Sequence, residues 1–388
     1  MLKPFIRLAF VIVAVALAAM ATVACGSTPA AAPAATTAPA KPAAAEPTKA
    51  AAPAAAPTAA AAAPAATAAP AAATYPKMDI KLGHAGVLEM SYHKGSVKFS
   101  ELMKERSGGN INVQVFPNSQ LGSEKDMLEQ VKNGVIQISL TTPTMLANYE
   151  GWAPIGATGM PYVFPGATDE EQYPSVMKVA RGSFMKGVND KAATSSGIRA
   201  LDLGWWYGTR NLTTKSKQVT KPEDMKGLKI RTMDNPMARA ALNALGAATT
   251  PMAVAELYSA MQMGVVEGQE NPINTIYTSK YYEVQKYLGL TGHMTMTVLM
   301  VTNDKWFKGL PANVQDLIQK TMNDAGDYQS DVQLKMNKQN LEDLKGKGMV
   351  VSEVNKKDFA AATKDAWKEF ENTFGKGTYE KIVEEASK

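Results

Sequence analysis

From Met78 onward the chain alternates between two hydrophobic periods, and this alternation restricts the fold more than any other feature. Met78, Ile80 and Leu82 repeat at every second position, as do Ile111, Val113 and Val115. Between and after them lie segments with helical spacing: Tyr92 to Arg106, stopped by Gly108 and Gly109, and then Met127, Leu128 and Val131 behind Ser123 as an N-cap. Gly134 ends that helix, and Val135 to Leu140 is the next strand, running out at Thr141 and Thr142. Strands separated by helices require crossover connections. The expectation is an α/β fold with a largely parallel sheet, with polar residues delivered to the strand ends.

Lys226 to Asn271 repeats the pattern and adds a charge. Leu228 and Ile230 alternate with Lys229 and Arg231, and Asp234, Asn235 and Pro236 then break the run. Arg231 therefore sits near the carboxyl end of a strand. Open α/β sheets bind small ligands outside those ends, and a guanidinium pairs with a carboxylate through two parallel hydrogen bonds. An ordinary exposed cation is the plainer reading, but only seven of the 41 basic residues are arginine, so lysine is the default surface cation here. The cluster Trp205, Trp206, Tyr207, Gly208, Thr209, Arg210 follows a strand start at Ala200 to Leu203; it reads either as core or as the floor of a pocket.

Several longer runs carry a resemblance. KPEDMKGLKIR, LGA followed by TPM, AELYSAMQMGVVEGQENP, KYYEVQKYLGLTGH and, upstream, FPNSQLGSEKDMLEQVKNG and MPYVF resemble the substrate-binding proteins of TRAP transporters, DctP type, over roughly residues 75–388. The resemblance implies a two-lobed fold like that of periplasmic binding proteins, with hinge strands and a long bracing helix. Lobe I would comprise about 75–206 and 297–338, lobe II about 207–296 and 339–388. It implies a monomeric extracytoplasmic receptor that captures a small carboxylate and hands it to a small and a large permease subunit. Carried over residue by residue, the ligand contacts would be His84, Glu124, Thr142, Arg210, Arg231 and Asn271, with Phe164, Trp206 and Tyr207 as apolar walls. His84 stands where sialic-acid-binding members have asparagine, Thr142 where they have glutamate, and Val254 where many members have phenylalanine.

Elsewhere, Glu170 to Ile198 reads as helix and Met294 to Thr302 as a strand. Leu310 and Pro311 open a helical pattern continuing to about Leu344, which fits the bracing helix. Met349 to Val351 is a short strand and Phe359 to Phe374 an amphipathic helix.

The N-terminal fifth follows other rules. Lys3 and Arg7 precede an uncharged apolar run from Leu8 to Ala24, the layout of a secretory signal; an uncleaved anchor is the alternative, although the run is short for a span. Thr22, Val23, Ala24 and Cys25 resemble a bacterial lipobox, with Thr22 departing from the usual leucine-like residue. Residues 1–24 would then be a lipoprotein signal peptide and Cys25, the only cysteine, the lipidated first residue. Gly26 to Thr74 is almost entirely alanine, proline and threonine; its prolines interrupt helix and it has no core to build, so it reads as a disordered tether.

The chemistry left out narrows the classes further. His84, His93 and His293 have no metal-ligand spacing, no glycine loop cradles a phosphate, and GxSxG is missing, so neither an enzyme nor a cofactor is expected. The net charge of +5 comes from lysines dispersed among acids, which marks a solvated surface and not a nucleic-acid path. A ligand-sensing or adhesive lipoprotein of the same fold stays open as the alternative.

Overall fold

The computed structural model describes residues 74–388. The expected signal peptide, Cys25 and the tether lie outside the described residues. Nine strands are present among them: β1 (Met78–Gly83), β2 (Ile111–Phe116), β3 (Ile138–Thr141), β4 (Ile198–Thr214), β5 (Lys229–Thr232), β6 (Ala248–Pro251), β7 (Gly268–Pro272), β8 (Tyr287–Asn303) and β9 (Val350–Ser352). They form one sheet in the order β2-β1-β3-β8-β4-β7-β5-β6, with β9 alongside β8.

Two parallel units lie at the ends of this order. β1 pairs with β2 and β3, and β5 pairs with β6 and β7, all in parallel. Helices cross between these strands, as parallel pairing demands. Between the units run β4 and β8, each 17 residues long and antiparallel to one another from Ile198↔Asn303 to Thr214↔Tyr287. These two strands pass from one lobe to the other. Both are longer than their apolar alternation suggested, because side chains on a hinge strand face core on one lobe and cleft or helix on the next, and no single period describes them.

The β4–β8 ladder slips four times, once between Trp206 and Gly208. A bulge leaves backbone groups unpaired, and buried ones need other partners. The helix Ala312–Gly346 supplies them. Its first half buries Val314, Leu317, Ile318, Met322 and Ala325, whereas its second half buries Gln329, Ser330, Gln333, Asn337 and Asn340. Gln329 Nε2 donates to the carbonyl of Trp206 (2.8 Å), Gln333 Nε2 to that of Tyr207 (2.8 Å), and the amide of Trp206 donates to Ser330 Oγ (3.0 Å). The same stripe reaches Ser91 of the first lobe through Gln329 (2.9 Å) and the amide of Asn274 in the second through Asn337 (2.9 Å). The apolar pattern fades along this helix because it braces peptide groups there. Gly326 lets it approach, since a Cβ would lie 2.5 Å from the Trp205 indole nitrogen.

Local differences from the sequence reading have identifiable causes. Ser123 caps the helix Glu124–Lys132 in a capping box with Asp126. The segment expected as one helix from Glu170 to Ile198 is two, Asp169–Ala180 and Ser183–Ser196, separated at Arg181 and Gly182; Arg181 turns aside to pair with Asp202 and Asp327. The helix expected over 359–374 is likewise broken, into Lys356–Thr363, a 3-10 turn and Glu371–Phe374.

The last segment also sits elsewhere than expected. Phe374, Ile382 and Ala386, with Trp367 and Tyr379 stacked at 4.5 Å beside them, pack on Val176, Val179 and Met185 of the first lobe and not on the second. Their apolar face covers the outer side of the Asp169–Ala180 helix. The chain thus crosses between lobes a further time after Phe359, which packs in the second lobe on Leu212, Ile230 and Leu242.

Candidate functional site

The carboxyl ends of the parallel strands of both lobes face a common cleft of about 340 Å³. This is where an open sheet of this kind presents loop and strand-end residues to a ligand. The lobes touch across it: Thr144 Oγ1 contacts Met233 Sδ at 3.6 Å, and Asn235 Nδ2 donates to Asn148 Oδ1 at 3.0 Å. Asn235 is held for this by its own role as N-cap, its Oδ1 accepting from the amides of Met237 (2.8 Å) and Ala238 (3.2 Å).

β5 carries Arg231 to the cleft with 3% of its surface exposed. Its Nε and Nη2 both donate to the carbonyl of Met252 (3.1 and 2.8 Å), which orients the guanidinium. Among the described residues no carboxylate pairs with it and Nη1 has no hydrogen-bond partner. Burial pulls its pKa down; nearby Tyr281 and Glu270 act against that, and Arg210 adds to it. A buried cation without a counter-ion is costly, and an anionic ligand would remove that cost.

Arg210, on β4, is in a different state. It is 1% exposed and paired with Glu270, Nε to Oε2 and Nη2 to Oε1 (2.9 Å), with further bonds from Nη2 to the Glu270 carbonyl (2.7 Å) and to Asn271 Oδ1 (3.1 Å). Burial alone would raise the Glu270 carboxyl, but the Arg210 charge and the neighbouring His293, 3.5 Å away, hold it at about 2. The same pairing outweighs burial at Arg210 and raises its pKa. Asn271 is similarly engaged: its Oδ1 accepts from Tyr207 Oη (3.1 Å) as well as Arg210, and its Nδ2 donates to Gln269.

Facing these from the first lobe is Glu124, the first residue of its helix. Its Oε1 accepts from Thr141 Oγ1 (2.8 Å), the amide of Thr142 (2.6 Å) and Thr142 Oγ1 (3.0 Å). Burial raises its pKa, and those three hydrogen bonds and Arg231 only partly offset that rise.

Of the residues expected here from sequence, Arg231, Arg210, Asn271, Glu124, Thr142 and Tyr207 line the cleft together, as does Val254. Three expected contacts lie elsewhere. Trp206 packs in the first-lobe core against Tyr173, because successive side chains on a strand point to opposite faces and Tyr207 takes the cleft side. Phe164 is in that same core, against Val176 and Leu203. His84 is fully buried beneath the cleft floor: the Gly86 amide donates to its Nδ1 (3.2 Å), so its proton resides on Nε2, which bonds His93 Nδ1 (3.0 Å). Burial first, and then repulsion from His93, holds its pKa at about 3.

The cleft also contains residues that the sequence did not single out, among them Tyr92, Tyr281, Thr275, Asn118 and Ser119. Asn118 and Ser119 adopt left-handed backbone (φ 54° and 55°) and are fixed by amide bonds to the carbonyls of Gly86 (2.9 Å) and His84 (3.2 Å). Non-glycine residues in that region are uncommon and concentrate at functional loops. Glu270 was the one legible omission, since a rare arginine invites a search for its counter-ion and QENP holds an acid.

Comparison with known proteins identifies the family. The family model for bacterial extracellular solute-binding protein, family 7 (DctP), matches residues 82–373. The chain is 30% identical to the 2,3-diketo-L-gulonate-binding periplasmic protein of Escherichia coli (strain K12), over 73% of this chain and 84% of that protein. It is 30% identical to the C4-dicarboxylate-binding periplasmic protein of Rhodobacter capsulatus, over 75% and 83%. Among solved structures, the sugar acid binding protein of Advenella mimigardefordensis in complex with galactonate superposes with a TM-score of 0.75 at 27% identity, covering 81% of this chain and 99% of that one. The chain therefore belongs to family 7 of the bacterial extracellular solute-binding proteins, the DctP-type receptors that serve TRAP membrane permeases from outside the cytoplasm.

Proposed function

We propose that this receptor captures a small organic carboxylate between its lobes, with Arg231 as the group that binds the carboxylate, and releases it to the small and large subunits of a permease for ion-coupled uptake. The observation that carries the reading is the state of Arg231: buried at a strand end, oriented by Met252 and without a carboxylate partner among the described residues. Arg210, Asn271 and Tyr207 form a pre-bonded floor that fixes the ligand's surroundings, and Glu124 and Thr142 supply polar contacts from the opposite lobe. The protein binds its ligand without converting it. No helix among the described residues is long and apolar enough to cross a membrane, and a lipid on Cys25 with residues 26–74 as tether would hold a monomeric receptor at the membrane surface. A sensing or adhesive role for the same lipoprotein differs only in what reads the closed form.

Ligand that contacts both lobes stabilises the closed form. Thermal unfolding in a library of carboxylates should show a rise in melting temperature, corresponding to about 2.7 kcal/mol at a hundredfold excess over Kd. A library in which neutral sugars or amines shift the transition and carboxylates do not would overturn the reading.

A further inference from the structure

We propose that Glu124 acts as a charge filter that makes this cleft select hydroxylated monocarboxylates and reject dicarboxylates. The inference rests on Arg231 binding the first carboxylate and concerns what the rest of the ligand must be.

Among the described residues two cations line the cleft, Arg210 and Arg231, and no lysine does. The fork of Arg210 is occupied by Glu270, a carboxylate with 1% exposure, and its remaining nitrogen, Nη1, faces Met296 Sδ at 3.8 Å. Only Arg231 therefore offers a charge that is not already answered. A second ligand carboxylate would have no free cation to meet.

It would instead meet an acid. Among the described residues Glu124 is the one acid lining the cleft, and its two oxygens are not equivalent. Oε1 already accepts three donors from Thr141 and Thr142, which fixes the side chain. Oε2 has no partner among the described residues. An ionised carboxylate only accepts hydrogen bonds, so Oε2 calls for a donor, and a ligand hydroxyl is one while a carboxylate is not. The recess continuing past Arg231 adds Asp234 and Glu256 against Lys125, so extending the ligand that way brings no surplus of positive charge. The polar groups remaining around the cleft, from Asn118, Ser119, Ser279 and Thr275, suit several hydroxyls. A carboxylate next to Glu124 costs both like-charge repulsion and the desolvation of a second anion.

The test uses matched ligand pairs that differ by one oxidation of a terminal CH2OH to a carboxylate: gluconate and glucarate, and threonate and tartrate. They are titrated calorimetrically into the purified full chain at pH 8, which favours ionised Glu124. The expected result is that a monocarboxylate binds at least tenfold more tightly than its dicarboxylate partner. Glu124→Gln should shrink that ratio by about tenfold, chiefly by improving the dicarboxylate, whereas Glu124→Asp should keep it; circular dichroism and the ligand-free melting temperature establish that each variant is folded. A dicarboxylate binding as tightly as its partner, or an unchanged ratio in Glu124→Gln, overturns the proposal. Binding of only unhydroxylated acids such as hexanoate or phenylacetate overturns it too, but leaves Arg231 as a carboxylate site. Absence of binding by every carboxylate overturns both.

Discussion

Truncating the two cleft arginines should have very different consequences for the stability of the ligand-free protein. Arg210→Ala removes the partner of Glu270 and leaves a carboxylate with 1% exposure beside His293. Breaking a buried pair in this way costs about 3–5 kcal/mol, because the remaining charge is stranded. Arg231→Ala strands no carboxylate. It forfeits the bonds to Met252 but also removes an uncompensated buried cation, and these terms oppose each other to leave about 1 kcal/mol in either direction. For a folded unit of this size a kcal/mol is worth about 2 °C, so ligand-free Arg210→Ala should melt about 6–10 °C below wild type and Arg231→Ala within about 2 °C of it. Scanning calorimetry and urea midpoints without ligand read this directly. Equal destabilisation by both substitutions would refute the assignment of one arginine to structure and the other to the ligand.

Three further outcomes follow from individual contacts. His84 titrates near 6.5 when unfolded and at about 3 when folded, so between those values the unfolded chain binds more protons; stability is full above pH 6.5 and its His84 component is lost as pH falls, by up to about 1.4 kcal/mol per pH unit. Urea midpoints from pH 7 to 4 should fall more steeply for wild type than for His84→Asn, and parallel curves would contradict the buried neutral imidazole. Asn235→Asp keeps the helix cap but turns the donor that meets Asn148 and Thr144 into an acceptor, so the ligand-free protein should scatter with a larger radius and bind ligand several-fold more weakly; an unchanged radius would remove Asn235 as a cross-cleft contact. Lipidation of Cys25 predicts partition of the mature chain into detergent and its loss in Cys25→Ser, and an intact mass without acyl groups would exclude it.

Much of this architecture was legible because alternating strands and capped helices are written locally. Ser123, Gly108 and Gly134 punctuate where expected, and Arg231 falls at its strand end. What was not legible is what tertiary context decides. The Gln329 to Asn340 stripe reads as exposed surface in one dimension, and only the bulge in β4 makes those amides buried partners of peptide groups. Trp206 and Tyr207 are adjacent and similar in composition, so which one faces the cleft depends on strand phase through an irregular ladder. The position of residues 366–386 on the first lobe is set by an exposed apolar face on the Asp169–Ala180 helix that no local signal couples to the C-terminus. Arg210 and Arg231 look alike in sequence, and the difference between them lies in Glu270.

Isothermal calorimetry of the folded Arg231→Ala and Arg231→Lys variants, with a carboxylate that the wild type binds, decides whether Arg231 holds the ligand carboxylate. Because the cleft excludes water around the pair, truncation should cost about 2–5 kcal/mol, on the order of thirtyfold to several thousandfold in Kd. Lysine should recover only part of this, since a point charge cannot reproduce the two-pronged donor geometry. A change of less than threefold in Arg231→Ala would remove Arg231 from the site and with it the carboxylate reading.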